Sequence, residues 1–217
     1  SPPQNSMVSC AISICSLFNL FTASAAVPLF SSLIDRFPSI VASFSRFTGI
    51  GCDNVDIVVN ELDALANINF STREENENFR QLTLVRIGTC GGLQPYTPTG
   101  TFICSQKSIG FDGLLNFYAG RNAVCNLPME RAFLNHMGWS GNMCAPAPYV
   151  ISADEELVDR IAKDDMVRGV TIACGGFFGP QGRQLRVPLA DPNQNKKIES
   201  LSSRKSIRES RTESMRH

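Results

Sequence analysis

The sequence predicts an α/β domain organised around one sheet. Three observations carry that prediction. Apolar, β-branched runs stop in glycine-rich turns, and helix-period stretches lie between them. A length of 217 residues at 43% hydrophobic content suits one substantial core rather than two full-sized domains.

Composition divides the chain into a charge-poor segment at 1–48, a domain at 49–199 and a Ser/Arg tail at 200–217. The first 34 residues carry no charge, and "CAISICSLFNLFTASAAVPLFSSLI" at 10–34 is apolar enough to resemble a marginal membrane segment or a signal-peptide core, with "ASA" at Ala23 to Ala25 resembling a cleavage site. No Lys or Arg precedes it, and Ser, Asn and Pro interrupt it, so an ordinary packed apolar segment is expected. The tail "SLSSRKSIRESRTESMRH" holds too little apolar surface to fold alone and is expected to be disordered.

The elements of the middle section follow in order. Asp53 or Asn54 can cap a helix whose apolar positions Val55, Val58, Leu62 and Leu65 recur every three or four residues. "QLTLVRIG" (81–88) reads as a buried strand stopping at glycine, and "GTFICSQKSIG" (100–110) as a second strand with glycine at both ends. Ser152 and Glu155 have capping-box spacing, which predicts a helix from about Ala153 to the Asp164-Asp165 pair. "MVRGVTIAC" (166–174) follows as another strand.

Charge and cysteine narrow the class of function. Twenty basic and twenty acidic residues give no net field toward nucleic acid or an anionic membrane, which favours a small, compact substrate. Eight cysteines (Cys10, Cys15, Cys52, Cys90, Cys104, Cys125, Cys144, Cys174) are scattered without a C-x-x-C pair, and only two histidines accompany them. Reduced, mostly buried thiols, no metal site and a cytoplasmic protein are expected. Walker-type, dinucleotide and G-x-S-x-G patterns are absent, and His136 in "FLNHMGW" reads as structural or solvated.

Two strands end in similar punctuation, "VRIGTCGGLQP" at 85–95 and "TIACGGFFGPQGR" at 171–183. Glycine after a buried strand lets backbone N–H groups approach a ligand, and a guanidinium with a hydroxyl three residues on can hold an oxyanion. Arg86 and Thr89 fit that role; the alternative is an Arg86–carboxylate pair and a Thr89 that satisfies a turn. Gln181 offers a donor and an acceptor, Arg183 donors alone. A flat heterocycle such as uracil presents the complementary set, and Phe177 or Phe178 can cover its face. The alternative here is a core phenylalanine pair and a solvated Gln-x-Arg.

Taken together, "NVDIVVNELDALANI", "LVRIGTCGGLQPYTPTGTFICSQKSIGFDGLLNFYAG" and "DDMVRGVTIACGGFFGPQGRQLRVPLADPNQNKKIES" resemble, in that order, the uridine phosphorylase branch of the nucleoside phosphorylase family, over residues 49–199. The resemblance implies a central mixed β-sheet flanked by helices. It implies phosphate binding by Arg86 and Thr89, uracil binding by Phe177, Gln181 and Arg183, and catalytic roles for Arg86 and Arg183. The implied reaction is phosphate-dependent cleavage of uridine to uracil and ribose 1-phosphate, with inorganic phosphate as co-substrate, no cofactor and no metal. Dimers or hexamers are implied as well. The family's opening Gly-Asp-Pro-x-Arg loop and its later Glu-Met-Glu segment find no match here, so the sheet is expected to be incomplete at both ends. A non-catalytic remnant that binds base or joins intact subunits is the competing expectation.

Overall fold

The computed structural model describes residues 9–13, 51–144 and 147–201. Its axis is the nine-residue strand β5 (Phe102–Gly110), which has partners along both edges. One edge carries β7 (Met166–Ala173) in parallel along its whole length. The other is shared: β1 (Ser9–Ser13) runs parallel to the first half, and β6 (Tyr149–Ser152) antiparallel to the second. Beyond β1 lies β4 (Arg86–Cys90), antiparallel to it. The result is a five-stranded mixed sheet.

A register shift between Ser105 and Lys107 divides β5 where its partner changes. Bulges bend a strand and re-aim its side chains. Two core clusters lie on either side of that shift. Cys104 packs with Ile87, Val158 and Ile161, while Ile109 packs with Phe111, Phe133, Met137 and Val150. Helices close both clusters: α4 (Glu155–Ile161) the first, and α3 (Leu127–Met137) with α5 (Gln194–Leu201) the second. The short helix α2 (Arg121–Val124) precedes α3 and delivers Arg121 to Glu130 at 2.9 Å. Glu130 is buried and also accepts from the backbone N–H of Val150, so one carboxylate joins α2, α3 and β6. The two-residue strands β2 (Ile68–Asn69) and β3 (Glu74–Glu75) form a separate small ribbon.

Several boundaries differ from the sequence-based expectation, each for a local reason. The first helix, α1 (Cys52–Asn67), starts after Gly51 with no side-chain cap; Asp53 lies inside the first turn, where a carboxylate suits the helix dipole. Gly51 sits at φ 111, and a Cβ there would stand 2.4 Å from the Asp53 carboxylate. Within α1, Leu65 faces solvent and Val59 takes the buried position. The strand expected at 81–88 is displaced to Arg86–Cys90, because β1 pairs Ser13 with Arg86 and Ser9 with Cys90. Ser152 is not a cap, since it ends β6 opposite Lys107. Asp154 caps α4 instead, accepting from the Leu157 N–H at 2.9 Å, and the helix ends at Ile161 where Ala162 turns extended.

Asp154→Ala is expected to cost about 1 kcal/mol, the usual value of an N-cap. Urea denaturation with an unchanged m-value measures it. An equal midpoint in parent and variant would assign the start of α4 to packing of Val158 and Ile161 alone.

Among the described residues, no helix is long and apolar enough to cross a membrane. The segment expected at 10–34 contributes Cys10 to Ser13 to β1, and its remainder lies outside the described residues, as does the tail from 202 onward.

Candidate functional site

The turn after β7 brings three of the expected residues together. β7 is tied to the end of β5 through the Phe111 N–H, which donates to the Ala173 carbonyl at 2.8 Å. The chain leaves the sheet through Gly175 and Gly176 and closes one 3-10 turn at Gly179–Gln181. The N–H groups of Gln181 and Arg183 both donate to the Phe178 carbonyl, at 3.1 and 2.9 Å. That doubled acceptor folds the segment back on itself. The Arg183 guanidinium accordingly lies over the Phe177 ring, 4.3 Å from its centre, and Phe178 meets Phe177 edge-on at 5.3 Å. Both rings are exposed, so the pair lies outside the core. Gln181 lies between Phe178 and Arg183 in sequence and is half-buried. A guanidinium on an aromatic face, with a side-chain amide two residues before it in the same turn, offers donors, an acceptor and a flat apolar surface.

The phosphate pair expected on β4 has a different setting. Arg86 is half-buried, and its Nε is buried without a hydrogen-bond partner. Burial lowers the guanidinium from its ordinary value, yet it remains a cation at neutral pH. The carboxylate pairing weighed for Arg86 is not found among the described ion pairs. A buried guanidinium nitrogen without an acceptor is costly, and a bound anion relieves that cost. Thr89 is exposed on the same strand.

The structure does not bring the two pairs together. Arg86 is level with Ser13, then Ser105, then Gly169, three strand spacings or about 14 Å across the sheet. The Gly-rich turn begins beyond Ala173, four residues farther along β7. Thr89 is level with Phe102 and Met166, at the opposite end of that strand.

Sequence reasoning missed the residues that support the turn. Gln194 donates through Nε2 to the Pro180 carbonyl at 2.8 Å, and Asn195 through Nδ2 to the Gln181 carbonyl at 3.1 Å. Both lie at the start of α5, which Lys197 clamps by donating to the Met137 carbonyl at 2.9 Å and to Asp191 at 2.8 Å. Asp191 also accepts from the Trp139 indole N–H at 3.1 Å. His136 is structural, with Nε2 2.8 Å from the Lys197 carbonyl oxygen. An amide at a helix start has no pattern that announces such a partner; only the fold returns α5 to the turn.

Lys197 holds the Asp191 carboxyl below its ordinary value, with Trp139 and the Asn193 N–H adding to the effect. Since the folded value is depressed, the stabilisation is fully present above the unfolded pKa and fades as pH falls through the folded one. The melting-temperature gap between the parent and Asp191→Asn is expected to narrow below about pH 4, near the unfolded carboxyl value. A gap that is constant with pH would remove charge from the account of that contact.

Three of the described thiols are held protonated by burial. Cys52, Cys104, Cys125 and Cys174 are free. Burial pushes Cys104 and Cys125 up to about 11 and Cys174 to about 12, so the nucleophilic thiolate is scarce. Among the described residues, no group of three His, Cys, Asp or Glu side chains gathers to hold a metal ion.

The sequence model of the phosphorylase superfamily matches residues 44–202, most of the chain. The chain belongs to the phosphorylase superfamily. No curated protein matches it. A solved structure of a Trypanosoma brucei nucleoside phosphorylase, described as showing uridine phosphorylase activity, is similar with a TM-score of 0.53 and 18% identity, covering 86% of this chain and 72% of that one. That likeness supports the shared fold, the mixed sheet flanked by helices. Within the superfamily match lie β4 with Arg86 and Thr89, the turn at 174–183 and the α5 amides that hold it.

Proposed function

We propose that this member of the phosphorylase superfamily is a uridine phosphorylase-like pentosyltransferase, cleaving uridine with inorganic phosphate to uracil and ribose 1-phosphate in nucleoside catabolism and salvage. The observation that carries the reading is the turn at 177–183, where Arg183 rests on Phe177 with Gln181 alongside. Uracil offers a carbonyl and an N–H on one edge and a flat π-face, the complement of that set. Arg86, whose Nε is buried without a hydrogen-bond partner, is the second support, a cation suited to phosphate, with Thr89 as a hydroxyl donor on the same strand.

In this reading phosphate held by Arg86 and Thr89 attacks the anomeric carbon as the glycosidic bond lengthens. The electron pair of that bond leaves with uracil, and Arg183 donates to the oxygen on which negative charge collects. Donors placed before the charge develops lower the barrier, typically by about 100-fold or more in rate. No cofactor or metal is required by this chemistry. The protein acts in the cytoplasm, as a dimer or hexamer.

A second reading, a base-binding protein without turnover, is favoured by the strand register that sets Arg86 and Thr89 apart from the turn. One experiment separates the two: uracil release from uridine by the purified chain, with and without phosphate, beside calorimetric titration with uracil. Phosphate-dependent release supports the enzyme. Uracil binding without release supports the second reading, and neither binding nor release overturns both.

A further inference from the structure

Beyond the residues that face a base, we propose that Asn195 is a positioning residue that sets the direction in which Gln181 and Arg183 project. The inference rests on the reading of the 177–183 turn as a uracil-binding element, and its geometry stands on its own.

The peptide plane between Gln181 and Gly182 is the link. Its carbonyl accepts from Asn195 Nδ2 at 3.1 Å, while Gly182 adopts φ 65, the left-handed region that glycine enters without strain. A Cβ on Gly182 would lie 2.5 Å from Asn195 Oδ1. Glycine at 182 therefore both permits the turn and leaves room for the amide that holds it. Rotating that plane moves the Gln181 side chain relative to Arg183, whose N–H is held at the Phe178 carbonyl and whose preceding carbonyl, that of Gly182, lies 3.5 Å from the same Asn195 Nδ2.

The anchor behind Asn195 is stiff. Its neighbour Gln194 is buried and holds the preceding carbonyl, that of Pro180. Two residues on, Lys197 ties α5 to the end of α3 and to Asp191, and Ile198 and Leu201 pack on the Phe111–Phe133–Met137 cluster. The core thus reaches the turn through two amides, and binding groups held within about half an ångström need such support. Phe177 is itself exposed, so the stacked pair takes its direction from the backbone turn that carries both residues.

The test uses the full chain and the near-isosteric Asn195→Asp, whose carboxylate cannot donate and repels the Gln181 carbonyl. Two readouts are taken. Nuclear magnetic resonance follows the Arg183 Nε–H, which the Phe177 ring current is expected to displace in the parent, with the Trp139 indole N–H as an internal control for the fold. Calorimetry follows uracil. The expected result is loss of the ring-current displacement with the Trp139 signal in place, together with about tenfold weaker uracil binding, the worth of one hydrogen bond to the turn. An unmoved Arg183 signal with parent-like uracil affinity overturns the proposal. If the parent itself binds no uracil, the uracil reading fails and the Arg183 signal alone decides the role of Asn195. Should the Trp139 signal collapse, Asn195→Ala, which removes the amide without adding charge, is judged by the same two outcomes.

Discussion

Replacing Arg183 by alanine is expected to lower phosphate-dependent release of uracil by about 100-fold or more, with the melting temperature close to that of the parent. The side chain is exposed and makes no structural ion pair among the described residues, so little stability is lost with it. Its contribution is concentrated where charge appears. In the proposed phosphorolysis, negative charge spreads onto the carbonyl oxygens of the departing base, and a guanidinium placed beforehand to donate to them would need no reorganisation. Stacking on Phe177 at 4.3 Å lays the planar group against a ring, which suits that role. Arg183→Lys separates shape from charge. Lysine keeps the cation and loses the planar fork, so only part of the rate should return. Initial rates at saturating phosphate measure both variants. Parent-like activity in Arg183→Ala would place the departing base elsewhere in the molecule.

The largest effect on stability is expected from Phe133→Ala, about 3–5 kcal/mol. Phe133 is 1% exposed and lies 5.5 Å from Phe111 and 5.9 Å from Trp139, ring centre to ring centre. Deleting its ring removes apolar area and leaves a cavity that neighbours on both a strand end and a helix cannot fill. Against a total stability of about 5–15 kcal/mol for a domain, that is a large share. The consequence should reach the turn. Trp139 holds Asp191, Asp191 holds Lys197, and Lys197 locks α5 against α3, so loosening this cluster frees the helix that carries Gln194 and Asn195. Thermal unfolding and uracil titration of the variant, with Phe133→Leu as a milder volume change, are expected to move together. Loss of stability with uracil affinity intact would uncouple the aromatic cluster from the site.

The periodic and punctuating features of the sequence reported the fold class well. Helical spacing from Val55 to Leu62 placed α1, the run at 100–110 with glycine at both ends placed β5, and β-branched residues before glycine placed β7. Such signals are local, because strand and helix periods are set by the backbone itself. Caps were harder to read. Ser152 and Asp154 compete for one helix start, and the sheet decided between them by taking Ser152 as a strand partner of Lys107.

The site divides along the same line. Phe177, Gln181 and Arg183 are seven residues or fewer apart, so a turn signal in the sequence sufficed to place them together. Arg86 and Thr89 were legible as residue types, while their surroundings were not: the unpartnered Nε follows from burial on β4, and β4 lies where it does because β1 stands between it and β5. The sequence by itself determined which side chains are on offer, an arginine and a threonine on one strand and a Phe, Gln and Arg turn after another, because residue type and short spacing carry that information. Only the tertiary structure decided how those groups are held and how far apart they stand, since strand order and the return of α5 to the turn are contacts between segments distant in the chain, and no local period records them.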